Sequence, residues 1–336
     1  MKPTLAAIGA FAAVTVATHP APATVPGPHA AGLVRDNAIR IDGITRKYHY
    51  YRPATDGAQA LPLVFLLHGH GGSADALSGQ TGHPAPFKVW MELAESQKIL
   101  LVYPDGMPGP DRERGWNDCR ADAVTNPASD DVAFIRSLIR HLRTQFRIDP
   151  ERIYSAGFSN GGQMALRLAL ELPEHMAAVG AVAAAMPANS ECRTSAQPVS
   201  VLFMNGTADV LSPYPGGRIA RLAAGRGTVR STPASVRFWA DLNRTRPVVV
   251  RNLPDLDPRD GSSVRRHDHN GGVRGTEVVL YEIIGGGHFV PSQRERLARA
   301  DMGDHPGQNH DVEAAVAIWE FFRDKRLAGA ETKTDR

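Results

Sequence analysis

The sequence predicts an α/β protein in which helices cover both faces of a mostly parallel central sheet. Continuous apolar runs at 61–67, 178–184 and 199–204 are typical of buried parallel strands. Helix-like stretches separate these runs, and strands that alternate with helices favour parallel pairing with ligands at the carboxyl edge of the sheet. The 336 residues are enough for one large domain with a substantial core.

The elements follow from local patterns in chain order. Residues 38–51 alternate in polarity around Asp42-Gly43, which predicts an antiparallel hairpin at one edge. Ser129 or Asp130 can cap a helix whose apolar residues share one face. The remaining predictions are a strand at 61–67, a helix at 86–97, strands at 99–103 and 153–157, a helix at 163–172, strands at 178–184, 199–204 and 277–284, and a last helix at about 311–326.

The N-terminal segment has the features of a signal peptide. Met1-Lys2 is positively charged, an apolar stretch follows, and Ala21-Pro-Ala23 offers a cleavage site. The apolar stretch is shorter than the ~20 residues that span a bilayer, and no cysteine near it could carry a lipid. We therefore predict a secreted or periplasmic protein, divided into a signal peptide (1–23), a flexible leader (24–36), a catalytic domain (37–327) and a tail (328–336).

The charge balance argues against a nucleic-acid-binding protein. Lys and Arg number 38 and Asp and Glu 35, which gives a formal net charge of +3. No run of basic residues is dense enough to form a nucleic-acid site. Four arginines in a Gly-rich stretch are predicted to lie on a solvated surface: Arg218, Arg221, Arg226 and Arg230.

Residues 157–162 read Gly-Phe-Ser-Asn-Gly-Gly and lie between a predicted strand and a predicted helix. This is the G-x-S-x-G pattern in its strand–turn–helix setting, which predicts that Ser159 is a nucleophile. The flanking glycines are needed because a Cβ there would collide with neighbouring backbone in so tight a turn. The alternative is an ordinary serine at a helix N-terminus.

A glycine-rich turn, His68-Gly-His-Gly-Gly72, follows the strand at 61–67. Such a turn lets backbone N–H groups approach a ligand oxygen. We expect the N–H groups of His70 and Asn160 to form an oxyanion hole. The alternative, a metal held by His68 and His70, lacks an evident third ligand.

A triad acid and base are expected downstream, in the order Ser, Asp, His. Asp209 lies just after the strand at 199–204, and its alternative role is a turn or N-cap. His288 follows three glycines after the strand at 277–284, where it can act as general base. The rival acids are Asp255, Asp257 and Asp260, and the rival bases are His267, His269 and His310; His267 and His269 are predicted to be solvated loop residues, and His310 to lie near the start of the last helix.

Over about 37–325 these motifs resemble the secreted esterase family of polyhydroxybutyrate depolymerase-like proteins and bacterial feruloyl and acetylxylan esterases. The resemblance implies an α/β-hydrolase fold and hydrolysis of carboxylic esters, and it agrees with the roles predicted above. The motifs are His68-Gly-His-Gly-Gly72, Tyr103-Pro-Asp-Gly106, Gly115-Trp-Asn-Asp-Cys119, Asp131-Val-Ala-Phe134, Gly157-Phe-Ser-Asn-Gly-Gly162, Asn205-Gly-Thr-Ala-Asp209, Pro213-Tyr214, Gly216-Gly217 and Gly285-Gly-Gly-His288.

One position departs from the family pattern, in which the histidine is usually followed by x-Trp-Pro-Gly. The chain reads Phe289-Val-Pro-Ser292, so Val290 replaces the aromatic residue. The family pattern therefore does not predict the shape of the substrate pocket in this chain. We predict that Trp116, Tyr214 and Phe289 contact the substrate. For Trp116, which lies in a polar loop, the alternative is local packing.

The two cysteines, Cys119 and Cys192, are predicted to form one disulfide. An even pair in an exported protein favours a bridge, and both residues lie in connections at the carboxyl side of the sheet. The alternative is two unpaired thiols.

The predicted reaction is two-step hydrolysis through an acyl-enzyme, which needs no metal or organic cofactor. The expected substrates are soluble esters: feruloyl or acetyl groups on polysaccharides, or short hydroxyalkanoate esters. Two alternatives stay open, an acyltransferase with the same triad and a non-catalytic binding protein with the same fold.

Overall fold

A computed structural model describes residues 31–195, 197–219 and 225–327. Ten strands form the main sheet and two pairs of short strands lie in loops. The strands are β1 (Gly32–Ile41), β2 (Ile44–Arg52), β3 (Leu61–Leu67), β4 (Leu100–Pro104), β5 (Met107–Pro108), β6 (Arg114–Gly115), β7 (Ile148–Phe158), β8 (Ala178–Val182), β9 (Ser200–Gly206), β10 (Gly217–Arg218), β11 (Thr228–Val229), β12 (Val249–Asn252), β13 (Ser263–His269) and β14 (Val278–Ile284).

The main sheet has the order β1-β2-β4-β3-β7-β8-β9-β14-β13-β12. Its six central strands, from β4 to β14, are parallel, and the two strands at each edge are antiparallel. Four of them, β3, β4, β8 and β9, are buried along their length, as is typical of strands with both faces covered by helices. The prediction of a mostly parallel central sheet is confirmed.

Helices cover both faces of this sheet. On one face α3, α4 and α5 pack over a core that includes Trp239 and Phe203, and on the other α1, α2 and α7 pack over a core that includes Trp90 and Phe322. The side chain of Asp130 caps α3 by accepting a hydrogen bond from Ala133 N. The helices are α1 (Ala74–Leu77), α2 (Val89–Gln97), α3 (Asp131–Gln145), α4 (Asn160–Glu171), α5 (Thr232–Asn243), α6 (Arg299–Met302) and α7 (Ala314–Phe322).

The folded domain begins earlier than predicted. Residues 32–36, assigned to the leader, are the first part of β1, which pairs with β2 along the edge of the sheet. The predicted signal peptide (1–23), the rest of the predicted leader up to residue 30 and the predicted tail (328–336) lie outside the described residues. In the part of the chain that is described, no helix is both long and apolar enough to cross a membrane.

Among the features of the C-terminal half that were not predicted, two enlarge the helix layer and the main sheet. The first is α5, whose N-cap Ser231 accepts from Ala234 N and whose Trp239 is fully buried. The second is the β12–β13 extension of the sheet. His267 and His269 lie on β13, so the prediction that they are loop residues is wrong. β13 lies between β14 and the edge strand β12 and is only partly buried, so charged side chains interrupt its alternation.

Candidate active site

The predicted nucleophile, acid, base and glycine-rich turn meet at the carboxyl edge of the parallel strands. The turn at 68–72 follows β3, Ser159 follows β7, Asp209 follows β9 and His288 follows β14. The carboxyl ends of neighbouring parallel strands lie at one edge of a sheet, which is where α/β proteins bind ligands. Four separate stretches of sequence thereby come together.

Ser159 occupies a strained turn between β7 and α4. Its backbone has φ 54° and ψ −121°, a region that costs energy for a residue with a side chain. A Cβ at Gly157 would overlap the carbonyl of Gly161, and one at Gly161 would overlap the carbonyl of Leu67. The two flanking glycines are therefore required for this turn, as the sequence predicted.

The Ser159 hydroxyl, the His288 imidazole and the Asp209 carboxylate form a continuous chain of hydrogen bonds. His288 Nε2 lies 3.0 Å from Ser159 Oγ, and His288 Nδ1 lies 2.7 Å from Asp209 Oδ2. Asp209 is fixed in turn, because its Oδ1 accepts from the N–H groups of Leu211 and Ser212 at 2.8 and 2.7 Å. This geometry suits attack by a serine assisted by a base.

The rival residues belong to other contacts. Asp257 accepts from Arg296 at 2.8 Å, and Asp260 accepts from the N–H of His310 at 2.7 Å. His267 Nε2 lies 2.9 Å from Glu282. Asp255 is exposed. None of these acids contacts His288, and none of the rival histidines contacts Ser159.

His70 and Asn160, whose backbone N–H groups are the expected oxyanion donors, lie in the turn after β3 and at the start of α4. In the adjoining turn, Gly71 N donates to Arg114 O at 2.8 Å and Gly72 N to Gly69 O at 3.0 Å. Asn160 is the first residue of α4, so its N–H has no acceptor within the helix. A helix N-terminus also favours developing negative charge.

Comparisons with known proteins agree with this fold and show the family of the chain. The sequence model of the Esterase PHB depolymerase family matches residues 46–214. The chain belongs to this family. NocK of Nocardia uniformis subsp. tsuyamanensis, a candidate esterase by its name, is 31% identical over 300 residues, which cover 86% of this chain and 83% of that protein. This chain is accordingly an esterase, a hydrolase of carboxylic esters.

Two feruloyl esterases and one esterase of known structure are also similar to this chain. Feruloyl esterase B of Piromyces equi is 28% identical over 69% of this chain, and feruloyl esterase D of Neurospora crassa is 26% identical over 84%. The chain spans 40% of the first and 83% of the second. A thermostable esterase of known crystal structure superposes with a TM-score of 0.52 at 15% identity, covering 87% of this chain and 63% of its own. The fold of the esterase is that of these enzymes, the α/β-hydrolase fold.

An apolar cavity of about 270 Å³ is lined by residues adjacent in sequence to Ser159 and His288. The residues that flank the reacting groups in sequence, Phe158 and Phe289, line it, together with Phe87 and Val290. His70 also borders the cavity. Phe289 lines this cavity, and its contact with the substrate stays a prediction.

Trp116 does not face this cavity, and the prediction that it contacts the substrate is wrong. Its side chain is fully buried, and its indole N–H donates to His68 O at 2.9 Å. Its backbone N–H and carbonyl both bond to the side-chain amide of Asn160, at 2.7 and 3.0 Å. Trp116 packs beneath the turn at 68–72, and a polar loop sequence gave no sign of that burial.

Tyr214 lines a different cavity, between α5 and the β13–β14 hairpin. Its hydroxyl donates to Glu282 Oε1 at 3.0 Å, and burial raises its pKa above the ordinary value, with the Glu282 carboxylate adding to the effect. Neither Phe158 nor Phe289 lines that cavity. The contact of Tyr214 with the substrate stays a prediction.

His68 has both ring nitrogens occupied by protein groups. Its Nε2 accepts from Gly106 N at 3.0 Å, so its Nδ1–H donates to Gly69 O at 2.7 Å. Burial lowers its pKa to about 4. Because Asp111 and Arg226 likewise occupy both nitrogens of His70, the pair does not fit a metal site.

Cys119 and Cys192 form a disulfide with a Cα–Cα distance of 5.2 Å, as predicted. The bridge joins the loop that carries Trp116 to the connection between β8 and β9.

Several buried residues of this region were not predicted from the sequence. Asp118 and Arg120 form an ion pair at 2.6 Å with both side chains fully buried. Arg226 is only 7% exposed, which contradicts its predicted place on a solvated surface. Arg230 is half-buried over the ring of Phe238, whereas Arg218 is exposed as predicted; Arg221 lies outside the described residues.

Proposed function

We propose that the esterase acts through a Ser159–His288–Asp209 triad and an acyl-enzyme intermediate. His288 Nε2 removes the proton of Ser159 as its Oγ attacks the ester carbonyl, and then returns that proton to the leaving alcohol. Asp209 holds the proton of the imidazole on Nδ1 and stabilises the imidazolium. Water then resolves the acyl-enzyme by the same steps. The hydrogen-bond chain of 3.0 and 2.7 Å carries this proposal.

The N–H groups of His70 and Asn160 complete the proposed machinery as oxyanion donors. They stabilise charge that develops only after attack, so they lower the barrier rather than strengthen binding of the ground state. Such donors contribute ~3 kcal/mol each in enzymes of this kind.

We propose that the acyl group enters the cavity between Phe158 and Phe289. Its volume of about 270 Å³ lies just below the range of drug-sized sites, and its lining favours a small apolar or aromatic acyl group. Val290 lines this cavity where the family usually has tryptophan, and the smaller side chain leaves more room. Together with the two feruloyl esterase relatives, this supports soluble feruloyl, acetyl or short hydroxyalkanoate esters, free or linked to a polysaccharide, as substrates.

We also propose that the protein is exported. The signal-peptide pattern of residues 1–23 and the disulfide between Cys119 and Cys192 support this, because disulfides persist mainly in oxidising compartments.

Replacement of the serine tests the mechanism. Ser159→Ala should lower kcat for p-nitrophenyl esters by ~10⁴-fold or more, and a fluorophosphonate should label Ser159 alone. Ser155→Ala is a matched control, because Ser155 lies four residues upstream, is fully buried and cannot be labelled. Ser159→Ala activity within tenfold of the wild type, or labelling at another residue, would refute the proposal.

A further inference from the structure

The side chain of His70 is held on both sides by charged groups that the mechanism does not use. Arg226 Nη1 lies 2.7 Å from His70 Nδ1, and Asp111 Oδ2 lies 3.0 Å from His70 Nε2. Arg226 is nearly buried, and its Nη1 also donates to Thr125 Oγ1 at 3.0 Å. Asp111 lies between β5 and β6, far from Arg226 in sequence.

These two contacts select one form of the imidazole. A guanidinium can only donate, so Nδ1 of His70 must carry the lone pair that accepts from Arg226. The single ring proton is then on Nε2 and is donated to the Asp111 carboxylate. His70 is neutral in this arrangement, because a second proton on Nδ1 would remove the acceptor of Arg226 and place two positive charges in contact.

A buried cluster of hydrogen-bonded residues, Asp118, Arg120 and Arg226, also contacts Asn160, which carries the second proposed oxyanion donor. Asp118 Oδ2 accepts from Asn160 Nδ2 at 2.5 Å and from Arg120 Nη2 at 2.6 Å. Arg120 Nη1 in turn donates to the backbone carbonyl of Arg226. Contacts between side chains and backbone thus connect His70 to Asn160 beneath the site.

The side chains of His70 and Asn160 are closely packed against the backbone of Gly115. A Cβ at Gly115 would lie 2.9 Å from Asn160 Oδ1 and 3.2 Å from His70 Nδ1. The backbone at Gly115 therefore separates the two side chains at close range. A change at His70 can move the turn at 68–72, and with it the His70 N–H.

We propose that Arg226 and Asp111 are positioning residues, which clamp the His70 side chain and so hold its backbone N–H in the oxyanion hole. This inference rests on the proposed function of that N–H. Neither residue touches the reacting atoms. Each acts on the reaction through His70.

The electrostatics agree with a neutral His70. Burial lowers the pKa of His70, Arg226 lowers it further, and Asp111 and Glu113 oppose the shift. His68 is the titratable neighbour in the adjoining turn. Burial and the adjacent Arg120 lower the pKa of Arg226 to about 10, so Arg226 is still a cation at neutral pH.

Removal of the Arg226 or the Asp111 side chain should lower kcat, and the two substitutions should shift the pKa of His70 in opposite directions. Arg226→Met removes a donor and a positive charge, so the pKa of His70 should rise. Asp111→Asn removes the carboxylate that favours the imidazolium, so the pKa should fall. In both variants kcat should fall by about 10- to 100-fold with KM within about threefold, since a displaced donor acts on the transition state.

The measurements are steady-state kinetics and a ¹⁵N NMR titration of His70, whose signal is assigned by its loss in His70→Gln. The wild type should show the Nε2–H tautomer. Arg226→Lys, which keeps a charged donor, should retain more activity than Arg226→Met. Arg230→Met is the control, because Arg230 belongs to the same segment but donates to Pro187 O and should leave kcat unchanged.

The outcomes separate this inference from the proposed function. An Nδ1–H tautomer in the wild type, or kcat within twofold of the wild type in both variants, would overturn the proposal that Arg226 and Asp111 position His70. If Arg226→Met does not fold, Asp111→Asn decides alone, because the Asp111 side chain is 27% exposed. If Ser159→Ala loses activity while Arg226→Met and Asp111→Asn keep normal activity, only the positioning role of Arg226 and Asp111 is refuted. Activity that survives in Ser159→Ala refutes the triad mechanism itself.

Discussion

Ser159, Asp209 and His288 each lie in a loop that directly follows one parallel strand, whereas the surroundings of the His70 N–H come from several distant segments. We call Ser159, Asp209 and His288 the first side of the site; their strand ends alone bring the three groups within hydrogen-bonding distance. We call the residues around the His70 and Asn160 N–H groups the second side. There, Asp111, Asp118 and Arg226 reach the turn at 68–72 and the start of α4 from loops that share no strand with them.

This difference shows how the two sides depend on the rest of the molecule. The reacting side chains need only the sheet, because parallel strands place their carboxyl ends together. The backbone donors need buried polar contacts, and such contacts are costly when one partner is missing. We therefore expect mutations on the first side to remove chemistry at little cost in stability. Mutations on the second side should reduce both.

The largest effect in this comparison is expected for Asp209→Asn. An amide at this position would donate to His288 Nδ1 and force the wrong imidazole tautomer, so kcat should fall on the order of 10⁴-fold. Asp257→Asn is the matched control, because Asp257 bonds to Arg296 instead. Steady-state kinetics with p-nitrophenyl acetate measure both. A comparable loss in Asp257→Asn would show that the acid is misassigned.

Asn160→Ala tests the second side while leaving the backbone N–H in place. Loss of the amide frees the loop at Trp116 and leaves the buried Asp118 with one fewer donor, so the protein should lose about 1–3 kcal/mol of stability. The displaced donor should also lower kcat by roughly 10- to 100-fold.

The control is Asn243→Ala, since Asn243 is also fully buried and donates to Val199 O at 2.7 Å away from the site. Denaturant titration should show similar losses of stability in the two variants, and kcat should fall only in Asn160→Ala. A kcat within twofold of the wild type in Asn160→Ala would remove the distinction between the two sides.

A smaller effect is expected from opening the disulfide between Cys119 and Cys192. The bridge closes a loop with a sequence separation of 73, which corresponds to about 4 kcal/mol in the chain-entropy model. The melting temperature of Cys119→Ser/Cys192→Ser should fall by roughly 5–10 °C. Turnover at 25 °C should fall less than in Asn160→Ala, because Asp118 and Trp116 still hold Asn160. Equal losses of turnover in the two variants would show that the bridge itself positions the donor.

The sequence predicted the central strands and most helices well, and it failed where burial depended on distant partners. The strand at 61–67 and the cap at Asp130 are encoded by contiguous residues. In contrast, β13 carries Arg265, Arg266 and Asp268, which bond to residues of the two flanking strands: Glu282 and Tyr281 on β14 and Arg251 on β12. A pattern read along one segment cannot include those partners, so this strand was taken for a loop.

By itself the sequence determined the central parallel strands, the tight turn at Ser159 and the order of Ser159, Asp209 and His288 along the chain. Each depends on residues within a few positions of one another: apolar runs, flanking glycines, a polar residue after a strand. Only the tertiary structure decided that Trp116 is buried beneath the site, that Tyr214 faces another cavity and that Arg226 lies against His70. Those outcomes depend on contacts across as many as 156 positions, where desolvation and hydrogen-bond partners, rather than local pattern, fix what a side chain does.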